Sequence, residues 1–369
     1  MKIRLLYLIA SLQSFLILGI PYIGEFFTLG DRDRYITYSS INFSTNFNRT
    51  ILTDLIFNFG GIWLEITLAI ISIFLHFYLI DSFSKTLKVS KINKLIAIIW
   101  LLLPVHFILR SIAGKELLAS LFFCLLIIIM YPLLFIDIID SEEIPGFYFR
   151  KNKLFFFLTS FSLLTLLAFI RPFFLIIYCL LLIPYFYNKV PLKTNSKKSI
   201  YIFLFFFSIF IFLYLGGVYF ESIQSYISIN FVGTGDSTFT NTNIPRFERF
   251  YEYLYFLFFN IYNAILGPTT GFFLSTSIGP ILLLEGLITL IPIIVLFSRN
   301  IIYLFFRPKV RITMGVTYSS SIVLLLLIYS LLGYVNFLAG WRLQSGSWIL
   351  FILIYLRMSR KINQDVPKK

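Results

Sequence analysis

Two apolar runs, Leu95–Leu109 and Leu117–Phe135, contain no Lys, Arg, Asp or Glu. Both are long enough to enter a lipid bilayer. Between them stands Arg110-Ser-Ile-Ala-Gly-Lys-Glu116, with three ionisable side chains: Arg110, Lys115 and Glu116. A linker this short cannot be a domain, so its charges are expected at a membrane surface, close to the lipid head groups. Gly114 allows the backbone to turn tightly, which would aim Lys115 and Glu116 back toward the membrane. Taken alone, such a loop reads equally well as a hairpin tip with solvated charges. The rest of the chain decides between the two.

The pattern recurs from end to end. Of 369 residues, 59% are hydrophobic and 13% charged, with a mean hydropathy of +0.88. A soluble core of this length has no use for so much apolar surface, so the chain reads as an all-α, polytopic membrane protein. Spans are expected at Leu5–Ile23, Ile62–Ile80, Leu95–Leu109, Leu117–Ile136, Leu154–Ile170, Phe173–Tyr187 and Ile200–Tyr219. Others follow at Gly279–Phe297, Val316–Leu338 and about Ser347–Leu356. Polar stretches at 24–54 and 220–250 form the longer loops of one integral membrane domain covering 1–369.

Lysine and arginine set the orientation. One set of loops holds Lys85, Lys88, Lys91 and Lys94, then Arg150, Lys151 and Lys153, then Lys189, Lys193, Lys197 and Lys198. Arg299, Arg307, Lys309 and Arg311 fall on the same side, as do Arg357, Arg360, Lys361, Lys368 and Lys369. With Lys2 and Arg4 these make 22 of the 31 basic residues, and that side is read as cytoplasmic, with both termini. No small-residue cleavage site follows the first run, so it is expected to remain as an uncleaved span. Counting Phe250–Ile278 as a full span would put Arg299–Arg311 outside, against this bias. Asn260, Asn263, Gly267-Pro268 and Gly271 also interrupt it. A re-entrant or interfacial segment at 250–278 fits better, leaving about ten full spans. Irregular backbone at that depth has to line a cavity or be buried in protein.

The net charge of +14 therefore comes from topology-setting loops and does not point to nucleic acid. Cys124 and Cys179 lie inside apolar runs, which argues against a disulfide framework or thiolate metal site. His76 and His106 are likewise intramembrane or interfacial. No Walker motif, dinucleotide-binding glycine pattern or His/Glu metal signature is present, so no cofactor and no metal are expected.

Nine cations remain on the outer side: Arg32, Arg34, Arg49, Arg110, Lys115, Arg171, Arg246, Arg249 and Arg342. Eight of the nine are arginine, whereas the cytoplasmic set is mostly lysine. A topology signal needs only positive charge. Guanidinium adds a planar fork of donors that grips phosphate at two points. In Gly30-Asp-Arg-Asp-Arg-Tyr35, two carboxylates alternate with two guanidiniums. They either neutralise each other on a wet loop or supply a base, Asp31 or Asp33, beside arginines that hold an anion. Arg171-Pro172 interrupts two apolar runs as a hairpin apex or as a cation facing a polar cavity. Arg246 and Arg249 sit among Phe and Tyr, a mixture that suits sugars and also the aromatic belt of an interface. Arg342, in Gly340-Trp-Arg342, has no acidic neighbour in sequence. Glu65 and Glu285 are the remaining acids at membrane depth, and Glu285 should face the bundle interior.

Several short motifs resemble those of bacterial polysaccharide polymerases and multi-span glycosyltransferases that use polyprenyl-linked sugars. These are Asp31-x-x-x-Tyr35 after the first span, Gly114-Lys-Glu116, Arg171-Pro172, Asn260-x-x-Asn263-x-x-x-Gly267-Pro268 and the late Arg342. The resemblance covers the chain end to end in layout. It implies an enzyme of the bacterial inner membrane that joins O-antigen or capsule repeat units carried on undecaprenyl pyrophosphate, with a chain-length regulator as a partner. Such polymerases often carry one large late outer loop, and here the stretch at 220–250 is modest. A transferase using a single lipid-phosphate-linked sugar therefore stays open.

Either reaction needs cations on the leaving phosphate, where negative charge develops. Arg110, Lys115, Arg171 and Arg342 are the candidates, with Arg32, Arg34, Tyr35, Arg246 and Arg249 as further substrate contacts. Either needs a carboxylate near the acceptor hydroxyl, from Asp31, Asp33 or Glu116. A non-enzymatic transporter or flippase of the same lipids is the third reading. It should show internal repeats and broken helices near the midplane, and no convincing repeat is visible.

Overall fold

A computed structural model describes residues 3–23, 51–134, 153–170 and 337–359, with shorter pieces between 248 and 298. Its seven main elements are all helical: α1 (Ile3–Ile23), α2 (Ile51–Thr86), α3 (Lys91–Leu101), α4 (Pro104–Leu109), α5 (Lys115–Leu134), α6 (Lys153–Ile170) and α7 (Phe337–Met358). No strand occurs among the described residues. The chain divides into two compact units. One comprises Met1–Leu182, Ile293–Ile302 and Arg342–Lys369; the other comprises Ile183–Pro292 and Tyr303–Trp341.

The first unit is built around α2, which packs against α1, α3, α5 and α6. Leu52–Thr86 is the one helix among the described residues long and apolar enough to cross a membrane. Its polarity is reversed relative to a soluble helix. Phe59 and Trp63 are 88% and 76% exposed, and Leu55, Ile71, Phe74 and Tyr78 are exposed as well, while Glu65, Ser72 and His76 are buried. The helix is broken at Gly61, whose φ of 52° and ψ of −149° lie in a region only glycine enters cheaply. The apolar stretch Ile62–Ile80 beyond the kink is about 28 Å long at 1.5 Å per residue, close to the thickness of a hydrocarbon core.

Paired contacts fix the directions of the helices. Glu65 meets Ala113, Ser72 meets Ser120 and His76 meets Cys124, each pair separated by 48 residues. A constant offset means that α2 and the segment leading through α5 run parallel. Between α3–α4 and α7 the pairs are Asn93 with Tyr355, Trp100 with Trp348 and His106 with Ser345. There one number falls as the other rises, so these segments run antiparallel.

At the far end of α2 from Glu65, Asp81 pairs with Lys85 at 2.7 Å and with Lys94. The pair clamps α2 to α3, whose first turn is capped by the Ser90 hydroxyl accepting from Asn93 N–H at 3.3 Å. Asp81 lies beyond the apolar stretch that ends at Ile80. Burial pushes its carboxyl upward, but hydrogen bonds and charge from Lys85 and Lys94 outweigh this and hold it at about 2.

Two elements differ from the sequence expectation. The run Leu95–Leu109 is not one helix: α3 stops at Leu101 and α4 starts at Pro104, with Leu103 extended at φ −55°, ψ 127°. Proline has no N–H to continue the ladder and drives the preceding residue out of the helical region. Gly340-Trp-Arg342, expected on a loop ahead of a short last span, lies inside α7, which begins at Phe337. In the second unit, residues 283–288 are helical, with Glu285 buried and Leu284, Leu287 and Ile288 exposed. This agrees with the inward placement expected of Glu285. Of the interrupted segment at 250–278, only Tyr251, Glu252 and Tyr255 are described; the expected spans at 173–187 and 200–219 lie outside the described residues.

Candidate functional site

The break before Pro104 leaves two main-chain carbonyls without their helical donors. Trp100 O would have accepted from residue 104, and Leu101 O from residue 105. Trp348 of α7 donates its indole Nε1–H to Trp100 O at 2.8 Å. Arg110 donates Nη2–H to Leu101 O at 2.5 Å and Nε–H to His106 O at 2.9 Å. A guanidinium thus folds back under its own hairpin and caps the broken helix. Arg110 is 4% exposed and far from a solvated loop tip. His106 stacks on Trp348 with ring centroids 3.9 Å apart, and its Nδ1 lies 2.8 Å from the Ser345 hydroxyl.

The turn from Arg110 to Gly114 is gripped by two other helices. Ser111 Oγ donates to Phe107 O at 2.7 Å, so toward Gln13 it can only accept, and Gln13 Nε2–H reaches it at 2.8 Å. Two residues later, Ala113 N–H donates to Glu65 Oε1 at 2.6 Å. Glu65 is 0% exposed and Gln13 2%. A buried carboxylate bound to a main-chain donor is among the stronger neutral-to-charged hydrogen bonds, and it fixes where α5 begins.

Lys115 and Glu116 open α5. Lys115 is half-buried, whereas Glu116 is 4% exposed. Its carboxylate folds over Gly114: a Cβ there would stand 3.2 Å from Glu116 Oε2. The glycine expected to make the turn therefore also makes room for the acid, at the positive end of a helix. The turn carries three ionisable groups, Arg110, Lys115 and Glu116, and Glu65 of α2 is bonded to its main chain. Deeper along α2, His76 Nδ1 lies 2.7 Å from Ser72 O and its Nε2 3.1 Å from Ser120 Oγ, with Cys124 Sγ 3.3 Å from Nδ1. That cluster satisfies its own polar groups and ties α2 to α5.

Of the residues singled out in the sequence, the structure brings Arg110, Lys115 and Glu116 together. Arg342 falls on α7 one turn before Ser345, which contacts His106. Arg249 is exposed, 5.9 Å over the Tyr251 ring, with its Nη1 3.3 Å from Tyr251 Oη; the main-chain N–H groups of Glu248 and Arg249 donate to Glu252. Asp31, Arg32, Asp33, Arg34, Tyr35, Arg171 and Arg246 lie outside the described residues. Sequence reasoning noted Glu65 only as an acid at membrane depth and passed over Gln13 and Ser345, although an isolated polar residue in an apolar run was the available signal. Among the described residues, no three His, Cys, Asp or Glu side chains are grouped to hold a metal ion. No protein family, curated protein or solved structure matches the chain.

Proposed function

We propose that this chain is a multi-pass glycosyltransferase of the bacterial inner membrane, with about ten spans and both termini cytoplasmic. It polymerises polysaccharide by moving a glycan from undecaprenyl pyrophosphate onto a sugar hydroxyl of the next lipid-linked repeat unit at the outer face. The observation that carries the reading is the buried turn Arg110–Glu116, held by Gln13 of α1 and by Glu65, 16 residues along α2 from the Asp81–Lys94 clamp. Helix directions support the topology: parallel α2 and α5, with α3–α4 between them, are what alternating crossings require. The exposed apolar side chains of α2 support a lipid environment.

Chemistry divides between two places. The turn has little to offer a pyrophosphate, because the Arg110 guanidinium is already engaged by Leu101 O and His106 O. Its useful group is a carboxylate, Glu116, to take the proton from an acceptor hydroxyl. The leaving pyrophosphate falls to the surplus outer arginines, among them Arg342, which lies on α7 one turn before Ser345, the partner of His106. Arg171, Arg32 and Arg34 belong to the same outer set.

The test is polymer formation in cells lacking their own copy, at matched protein levels. Removing a transition-state cation costs on the order of a hundredfold or more in rate. Arg342→Ala should lose product, and Arg342→Lys should recover it poorly, because ammonium cannot form the two parallel bonds of a guanidinium fork. Wild-type product from both variants refutes the phosphate role. Full recovery with lysine reduces it to a generic positive charge.

A further inference from the structure

Glu65 has no part in the chemistry above, yet among the described residues it is the most deeply buried acid, on a helix whose other buried side chains include Phe57, Ala69, Ser72 and Ile73. Its Oε1 accepts the Ala113 N–H at 2.6 Å. Ala113 is joined to Gly114, and over Gly114 lies the Glu116 carboxylate. Two buried acids thus flank adjacent residues of the turn, one bonded to the Ile112–Ala113 peptide and the other resting over the Gly114 Cα. Gln13 holds the same turn two residues earlier, through Ser111. The turn has no regular secondary structure of its own between α4 and α5, so these side chains decide where α5 starts and where its first carboxylate sits.

We propose that Glu65 is a positioning residue for Glu116: through the Ala113 N–H it fixes the Ile112–Ala113 peptide, next to Gly114, and thereby seats the Glu116 carboxylate against the acceptor sugar hydroxyl. The proposal rests on the glycosyltransferase reading. It assigns Glu65 no proton transfer. What matters is the acceptor oxygen at that position, and the carboxylate's charge serves only to strengthen the bond.

The acceptor function separates two substitutions. Glu65→Gln keeps an oxygen that can receive the Ala113 N–H, whereas Glu65→Ala removes it. Displacement of a reacting group by about 1 Å costs on the order of a hundredfold in rate without weakening substrate binding. With purified full-length protein in liposomes and lipid-linked repeat units, Glu65→Ala should lower kcat by about that factor and leave KM unchanged. Glu65→Gln should stay within about threefold of wild type, since a neutral hydrogen bond replaces a charge-assisted one. Hydrogen exchange at the Ala113 amide gives a readout independent of activity: protection should persist in Glu65→Gln and be lost in Glu65→Ala.

Equal loss of kcat in both variants overturns the proposal, because the charge would then be what matters. Unchanged kcat in Glu65→Ala overturns it as well, and so does a loss expressed only in KM. Where Glu65→Ala fails to accumulate, Gly114→Ala carries the test, since its Cβ crowds Glu116 Oε2 without touching the Glu65 bond; unchanged kcat there overturns the proposal. Failure of the functional reading looks different: wild-type protein forms no polymer, while Ala113 still loses protection in Glu65→Ala.

Discussion

Arg110 can be read as a substrate cation or as a cap for a broken helix, and one series of substitutions separates the two. Its Nη2 and Nε donate to Leu101 O and His106 O, both inside the hairpin. A hydrogen bond involving a charged group contributes about 1.5–3 kcal/mol, and a buried acceptor left bare costs about 1–3 kcal/mol. Arg110→Ala strands Leu101 O, whose helical donor is already lost to the Pro104 break. A destabilisation of about 3–5 kcal/mol is expected. Lysine reaches one carbonyl but not both, so Arg110→Lys should lose about half as much.

The assay is reversible unfolding of the purified protein in mixed micelles, followed by the fluorescence of Trp100 and Trp348, which lie 6.0 Å apart beside the break. Trp348→Phe gives an internal comparison, because it removes the indole N–H from Trp100 O while keeping an aromatic ring. Side-chain hydrogen bonds between membrane helices average about 0.6 kcal/mol, so this loss should be the smaller one. Both changes bare carbonyls of the same break, and the double variant should deviate from additivity by about 0.5 kcal/mol or more. If Arg110→Ala unfolds like wild type yet abolishes polymer formation, the capping argument is wrong and Arg110 serves the substrate.

Other consequences follow from single features of the fold. Gly61→Ala places a Cβ in a backbone region that costs about 1–3 kcal/mol, and unfolding in micelles should show that loss. Asp81, held at about 2 against an ordinary 3.8, contributes stability that is fully present above pH 4 and lost as pH falls through 2. Asp81→Asn should therefore cost about 1 kcal/mol at neutral pH, allowing for solvent around the ion pairs, and the gap to wild type should close between pH 4 and pH 2 in acid unfolding curves. Activity in washed membranes should survive chelation; loss restored by Mg²⁺ or Mn²⁺ would make Asp31 and Asp33 metal ligands instead.

The helical class and the places of several described helices were legible because long apolar runs separated by lysines leave few alternatives. The interior of those runs was not. A stretch as uniformly apolar as Leu95–Leu109 carries no periodicity to show which side is buried or where it breaks, and Pro104 was the one local mark. Arg342 read as a loop residue because it falls between the last two apolar runs, yet the helix continues through it and through Gly340 and Gly346. Gly114 was read as a tight turn that aims Lys115 and Glu116; that the Glu116 carboxylate lies over the glycine itself was not legible. The Glu65–Ala113 bond joins residues 48 apart and involves a main-chain donor, for which a single sequence gives no sign.

Topology can be tested on the same geometry. Glu65 lies just past the Gly61 kink of α2 and Asp81 just past the apolar stretch that ends at Ile80, 16 residues and about 24 Å apart along a straight helix. The Arg110–Glu116 turn is bonded to the first, and the start of α3 is bonded to the second. With a bilayer around this unit, nearly a whole hydrocarbon thickness of about 30 Å separates the two turns. Lys115 is half-buried and Lys91 exposed, so cysteine at either position is open to a small reagent. In a background with Cys124 and Cys179 replaced, a membrane-impermeant maleimide added to intact spheroplasts should label Lys115→Cys and spare Lys91→Cys. Inside-out vesicles should give the reverse. Labelling of both positions from one side would mean that α2 does not cross the membrane between them, and the placement of Glu116 at the outer face would fall with it.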